Sequence, residues 1–275
     1  MYRTDIGKIV EQAVAKAAYL DARPEGYLIL SGLAGVYLGF AITLSLSIGA
    51  PYAAEMAPGQ RLIMGCAFGL ALGVVIFAGS ELFTGNNATC AVAALDGAIS
   101  GTMVGRIWVM SFAGNLLGSL GVAWMVAQSG VLSHAPQIDL LRATAATKMN
   151  LPGWELLVRG ILCNWLVCLA VWMAGRMHSE TAKLLVIFWC LLAFVGSGFE
   201  HSIANQSLLS LALFQPHPDT VSWGGFLWNQ MWVVLGNVIG GSVFVGGAYW
   251  LAATPIRQKP AQPSATVVPV QSVTI

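Results

Sequence analysis

Charge is what this sequence lacks most. Lys, Arg, Asp and Glu together supply 9% of its 275 residues, where an ordinary soluble domain approaches a quarter. With a net charge of +1 there is no basic stripe to neutralise phosphates, which excludes nucleic-acid binding. Five cysteines are present, Cys66, Cys90, Cys163, Cys168 and Cys190, all in or beside apolar runs. They form no CxxC pair and no histidine sits at metal-ligand spacing, so they read as small core residues and imply neither metal nor cofactor. Paired carboxylates, clustered histidines and a nucleophile–base pair are also missing, and an enzyme is not expected. The first 20 residues carry charges throughout and contain no apolar h-region, unlike a cleaved signal peptide.

What is abundant is apolar residue, 57% of the chain, with a mean hydropathy of +0.73. Such a chain is an integral membrane protein, and its apolar runs leave no room for a separate soluble domain. One long run is interrupted. Leu184 to Phe199 is uncharged, Glu200 and His201 follow, and SIANQSLLSLALF resumes the pattern to Phe214. Each half is too short to cross a hydrocarbon core that needs about 20 residues of helix, although together they suffice. The polar break in GSGFEHSIAN, Gly196 to Asn205, therefore falls at membrane depth. Ionisable groups there are costly and usually face a bundle interior or a water-filled path. The plainer alternative is a satisfied core histidine paired with Glu200.

A second break matches the first. GSELFTGN, Gly79 to Asn86, interrupts the run that begins at Leu62, and ELFTGN aligns over EHSIAN with Glu200 lying 119 residues after Glu81. GNLLGS at Gly114 is answered by GNVIGGS at Gly236, an offset of 122. Two matches at nearly one offset indicate a unit of three spans that occurs twice. Repeats with interrupted helices in corresponding positions point to a transport site at their interface. The expected fold is an all-α membrane protein, six transmembrane helices as two inverted three-helix repeats with broken second and fifth helices.

In chain order, residues 1–23 place Ile6, Ile9, Val10, Ala13, Val14 and Ala17 at helical spacing opposite Arg3, Lys8, Glu11 and Lys16. This suits an amphipathic helix at a membrane interface, on the cytoplasmic side, or a solvated lead-in helix. A channel domain is expected over 24–254, with spans Gly26–Ala54, Leu62 onward to the first break, Ile107–Val131, Trp154–Ala174, the broken fifth, and Trp223–Ala253. Thr84, Gly85, Asn86 and Asn87 are not expected to be helical without strain, so a tight re-entrant loop is anticipated there. The segment holding His134, Asp139, Arg142 and Lys148 reads as the longest loop. Residues 255–275, rich in Pro, Ser, Thr and Val, read as a disordered cytoplasmic tail. Nine Lys/Arg residues fall on the side of the termini against Arg61, Arg142, Lys148 and Arg159 on the other. By the positive-inside rule both termini are expected in the cytoplasm, in a prokaryotic inner membrane.

The ELFTGN loop, LCNWLVCLAVWMA from Leu162, and FEHSIAN together resemble the formate/nitrite transporter family of anion channels. CNWLVCLAVW and FWCLLAFVGSGFEHSIAN are most similar to its nitrite branch. The resemblance implies an aquaporin-like protomer assembled as a homopentamer in membrane lipid, with one pore per protomer. It further implies that Phe68, Leu72, Phe83, Val167 and Phe194 form apolar constrictions, that His201 and Thr84 lie between or beside them, that Asn164 hydrogen-bonds near the histidine, and that Lys148 sits at the outer mouth. On spacing alone Phe68, Leu72, Val167 and Phe194 look like any packed helix face. Asn164 fits an interhelical hydrogen bond, and Thr84 could cap the second half-helix.

The function expected is transmembrane transport of nitrite or a similar small monovalent anion. Half-helix N-termini aimed at the midplane favour anions, while a fully apolar constriction opposes a bare ion. The anion would pass by accepting a proton, or a strong hydrogen bond, from His201. Phe68, Leu72, Phe83 and Phe194 offer a passing ion no replacement for its water, which favours the protonated route. Formate or hydrosulfide would meet a similar filter. A neutral-solute channel of aquaporin type would share the six spans, but neither break contains an Asn-Pro-Ala triplet.

Overall fold

The computed structural model describes residues 2–253, so the tail expected at 255–275 lies outside the described residues. Among them every regular element is helical. Helix α1 (Arg3–Ala22) leads into α2 (Pro24–Ala54), α3 (Gln60–Phe68) and α4 (Leu70–Ala78), followed by α5 (Phe83–Leu95), α6 (Gly101–Ser129) and α7 (Gln137–Asn150). Then come α8 (Gly153–Arg176), α9 (Glu180–Ser197), α10 (Ser202–Leu213), α11 (Trp223–Ile239), a π-helical stretch over Gly240–Gly247, and α12 (Ala248–Ala253). Six segments are long and apolar enough to cross a membrane: 24–54, 60–78, 101–129, 153–176, 180–197 and 223–253.

These six form two inverted three-helix repeats with the second and fifth helices broken. In the first repeat α3–α4 stops at Gly79 and resumes as α5, and in the second α9 stops at Gly198 and resumes as α10. Both glycines close their helix in the left-handed conformation, each with φ of 74°, where a side chain would be strained. Within each repeat the outer two spans cross closely through small residues. A Cβ added to Gly118 would lie 1.9 Å from the Gly32 carbonyl oxygen, and one on Gly236 would lie 2.3 Å from that of Leu157. Apolar burial gains little against lipid tails, so this backbone proximity is what holds the helix pairs together.

Helix α1 packs Ile6, Ala13, Ala17 and Leu20 inward, a stripe at seven-, four- and three-residue spacing. Ion pairs dock its polar side: Arg3 to Asp96 at 2.7 Å, Asp5 to Arg176 at 3.0 Å and Asp21 to Arg106 at 2.7 Å.

Two expectations are corrected. The segment read as the longest loop contains α7, because Ile138, Leu141, Ala145 and Met149 bury one helical face. Thr84, Gly85, Asn86 and Asn87 all lie in the first turns of α5. The non-helical break ends at Leu82, and neighbouring side chains rather than a loop receive Asn86 and the Asn87 amide oxygen. Asn86 donates to Glu81 and to the Tyr27 hydroxyl, and Asn87 accepts from Asn164.

Candidate functional site

Each break is held by an asparagine from the last span of its repeat. Asn115 accepts the Phe83 backbone N–H at 2.9 Å and donates to the carbonyls of Ser31 and Glu81 at 2.7 and 2.9 Å. Asn237 repeats the pattern on the other side, accepting from Ser202 N–H at 2.9 Å and donating to the carbonyls of Gly160 and Glu200 at 2.9 and 3.0 Å. The Glu81 and Glu200 N–H groups bond the carbonyls of Leu30 and Arg159, each at 3.2 Å. Irregular backbone at membrane depth survives only when protein satisfies it, and these two forks do so.

The glutamates of the breaks each hold a lysine. Glu200 takes Lys148 at 2.8 Å and Asn205 at 2.6 Å. Glu81 takes Lys16 at 2.5 Å, the Tyr27 hydroxyl at 2.9 Å and Asn86 at 3.2 Å. Lys148 is therefore an ion-paired residue with a side chain only 19% exposed, and Lys16 of α1 is its counterpart at the opposite cavity.

Leu82 and His201 occupy equivalent repeat positions, and both are extended residues that start a half-helix. His201 caps α10 through its ring: Nδ1 accepts the Ala204 backbone N–H at 3.1 Å. A backbone N–H can only donate, so Nδ1 carries no proton and the imidazole is neutral with its hydrogen on Nε2. Nε2–H points at the Thr84 hydroxyl oxygen, 3.1 Å away. The ring lies nearly parallel to Phe194, with centroids 5.8 Å apart and planes at 18°. Asn164 stands behind Thr84, its amide shared among the Thr84 carbonyl at 3.2 Å, Asn87 Oδ1 at 2.9 Å and the Asn237 carbonyl at 2.7 Å. Cys168 Sγ also donates to the Thr84 carbonyl, at 3.2 Å.

Two cavities open towards this centre. One, about 370 Å³, contains Lys148, Glu200, Arg61, Phe68, Phe194 and His201 in its wall. The other, about 420 Å³, contains Lys16, Glu81, Leu72 and Leu82. Between them lies a chamber of about 10 Å³ walled by Phe68, Leu72, Leu82, Val167, Phe194 and His201, with Leu38, Ala71 and Leu191, room for about one water. Phe68 and Phe194 meet edge to face, 5.6 Å between centroids, and separate the chamber from the Lys148 cavity.

The structure thus brings Phe68, Leu72, Val167, Phe194 and His201 together around one chamber, with Thr84 on the histidine and Asn164 behind it. Phe83 lies elsewhere. It packs on Phe112 at 5.3 Å, and Leu82 faces the chamber instead. An extended residue and its successor point to opposite sides, so the wall position falls one residue earlier. Aligning ELFTGN over EHSIAN sets Leu82 on His201, which is the signal that marks it. Lys16, Asn115 and Asn237 also escape a reading of isolated motifs.

A family model described as formate/nitrite transporter matches residues 4–251. The nitrite transporter NirC of Salmonella typhimurium is 40% identical over 261 residues, covering 95% of both chains. Of solved structures, an FNT family ion channel matches with a TM-score of 0.86 and 40% identity over 92% of this chain and 99% of that one. A pentameric formate channel with formate bound matches with a TM-score of 0.71 and 31% identity over 83% and 96%.

Proposed function

The chain belongs to the formate/nitrite transporter family, and from that premise we propose that it carries nitrite across a membrane through a passage within each protomer. The observation that carries this is the chamber where neutral His201 presents Nε2–H between two charged cavities. Nitrite is favoured over formate and hydrosulfide by the similarity to a nitrite transporter along nearly the whole chain. The likeness to a channel described as pentameric supports a homopentamer. Relatives that transport, with no paired catalytic groups in the chamber wall, support transport rather than catalysis. Positive residues concentrate on the α1 side, which supports a cytoplasmic Lys16 cavity and an outer Lys148 cavity in an inner membrane.

Nitrite enters the Lys148 cavity with its water. The chamber holds about one water's volume and a single donor, so a bare ion there loses far more solvation than it regains. The species that passes is nitrous acid, formed when nitrite takes up a proton delivered from the bulk solution through the water of the cavity. His201 does not supply it. Giving up the Nε2 proton would leave an imidazolate, and loading Nδ1 would oppose the Ala204 N–H. The histidine instead donates a hydrogen bond to an oxygen of the passing molecule, exchanging Thr84 for it, and the apolar ring of Phe68, Leu72, Val167 and Phe194 excludes free ions. Helix α1, docked by its ion pairs, lies at the cytoplasmic interface beside the Lys16 cavity.

Nitrite uptake by proteoliposomes tests this with His201→Phe, which retains a flat ring and removes the donor. A normally assembled variant is expected to lose nitrite flux by about tenfold or more, the equivalent of one hydrogen bond to a poorly solvated polar group. Wild-type flux in that variant refutes the role of the histidine.

A further inference from the structure

The wall of the Lys148 cavity carries four charged side chains, Arg61, Lys148, Arg159 and Glu200. Two of the cations are committed: Lys148 to Glu200 at 2.8 Å and Arg159 to Glu155 at 2.8 Å. The Arg61 guanidinium has no hydrogen-bond or ion-pair partner among the described residues. Arg61 stands in the first turn of α3, seven residues before Phe68. That spacing puts both on one helix face, about 10 Å apart along the axis, with Met64 of the same face also in the wall. The guanidinium leans towards the second break, where an Nη atom lies 3.9 Å from the point a Gly198 Cβ would occupy, three residues before His201. The opposite cavity is different, because the one guanidinium in its wall among the described residues, Arg176, is held by Asp5 at 3.0 Å.

We propose that Arg61 is the anion-capture residue of this cavity, and that its planar fork selects two-oxygen anions such as nitrite and formate over single-atom anions. A guanidinium offers two parallel N–H donors matched to two oxygens of a flat anion, which an ammonium cannot do. Lys148, with its charge returned by Glu200, keeps the break closed, while Arg61 supplies the uncompensated charge at the entrance. Captured there, the anion sits two helical turns above the Phe68–Phe194 contact, on the face that leads to it. Capture sets how much anion reaches the constriction, and the constriction sets the maximal rate.

This assignment rests on the transport reading above, and the test separates the two. Concentration dependence of nitrite and formate flux is measured in proteoliposomes for the wild type, Arg61→Gln and Arg61→Lys. Both variants are expected to raise the half-saturating concentration about threefold, the scale of one exposed charge-assisted contact, with the maximal flux unchanged. Arg61→Lys matching the wild type overturns fork recognition, since charge alone then suffices. Arg61→Gln matching the wild type overturns the site altogether. A wild-type protein that carries neither anion overturns the transport reading and this assignment with it, whereas wild-type flux that ignores Arg61 overturns only the latter.

Discussion

Replacing Asn237 with alanine removes three hydrogen bonds and leaves two backbone groups of the break without that partner, the N–H of Ser202 and the carbonyl of Glu200, while the Gly160 carbonyl, inside α8, keeps its helical bond. Asn237 is completely buried, so water reaches these groups poorly. Each unsatisfied group costs about 1–3 kcal/mol. With partial relaxation the sum over the two is about 2–4 kcal/mol, which for a chain of this size lowers the melting temperature by roughly 5–15 °C. The loss falls on the residue next to His201, so the N-cap that sets the imidazole tautomer loosens too, and nitrite flux falls with stability. Thermal melting of the purified protein in detergent, with flux measured well below the transition, reads both. Asn115→Ala removes the equivalent fork and is expected to cost the same within about 1 kcal/mol. An Asn237→Ala protein that melts within 2 °C of the wild type and transports normally refutes the reasoning, since by the same estimate the break would then stand without its fork.

Lys148→Gln leaves Glu200, whose side chain is 3% exposed, without its cation. It should destabilise by about 3 kcal/mol and be largely rescued by adding Glu200→Gln, whereas an unaltered melting curve for the single variant contradicts the pairing. The Arg3 guanidinium at 2.7 Å, helped by the Trp250 indole, holds the Asp96 carboxyl below the usual carboxylate range, against a smaller opposing effect of burial. A depressed native value means that the stabilisation is complete above the unfolded-state value, about 3.9, and is lost as pH falls through the native one. Hydrogen exchange in α1 should therefore accelerate on acidification below about pH 4, and Asp96→Asn should remove that contribution. Gly118→Val would drive a side chain into the Gly32 carbonyl, 1.9 Å from its Cβ position. It is expected to abolish folded protein, as judged by size-exclusion chromatography.

Much of this architecture was legible in the sequence because membrane burial writes itself as composition. The spans, both breaks and their two-fold relation follow from apolar run lengths and from ELFTGN over EHSIAN. The boundary of the first break was not legible, because Thr84 to Asn87 looks unfit for a helix until Asn164, Glu81 and Tyr27 are in place to receive the side chains. Helix α7 was hidden by the alanines and threonines between its four buried residues. Lys16 and Glu81 lie 65 positions apart, with nothing local to pair them, and only the three-dimensional equivalence of Lys16 with Lys148 reveals the motif. Asn115 and Asn237 stood in a recognised repeat, yet a fork to three backbone groups is a property of geometry. Phe83 and Leu82 differ by one residue, and only the extended backbone at Leu82, with φ −102° and ψ 123°, decides which of them faces the chamber.

On the reading proposed above, nitrite crosses with a proton through a chamber too small and too apolar for the bare ion. Simultaneous recording of lumenal pH and membrane current in proteoliposomes, under an inward nitrite gradient at fixed external pH, tests it directly. Lumenal acidification that scales with nitrite entry, with no net current, is expected, and both the acidification and the nitrite entry are lost in His201→Phe. Current without acidification would contradict it, and would mean that the chamber passes the ion bare.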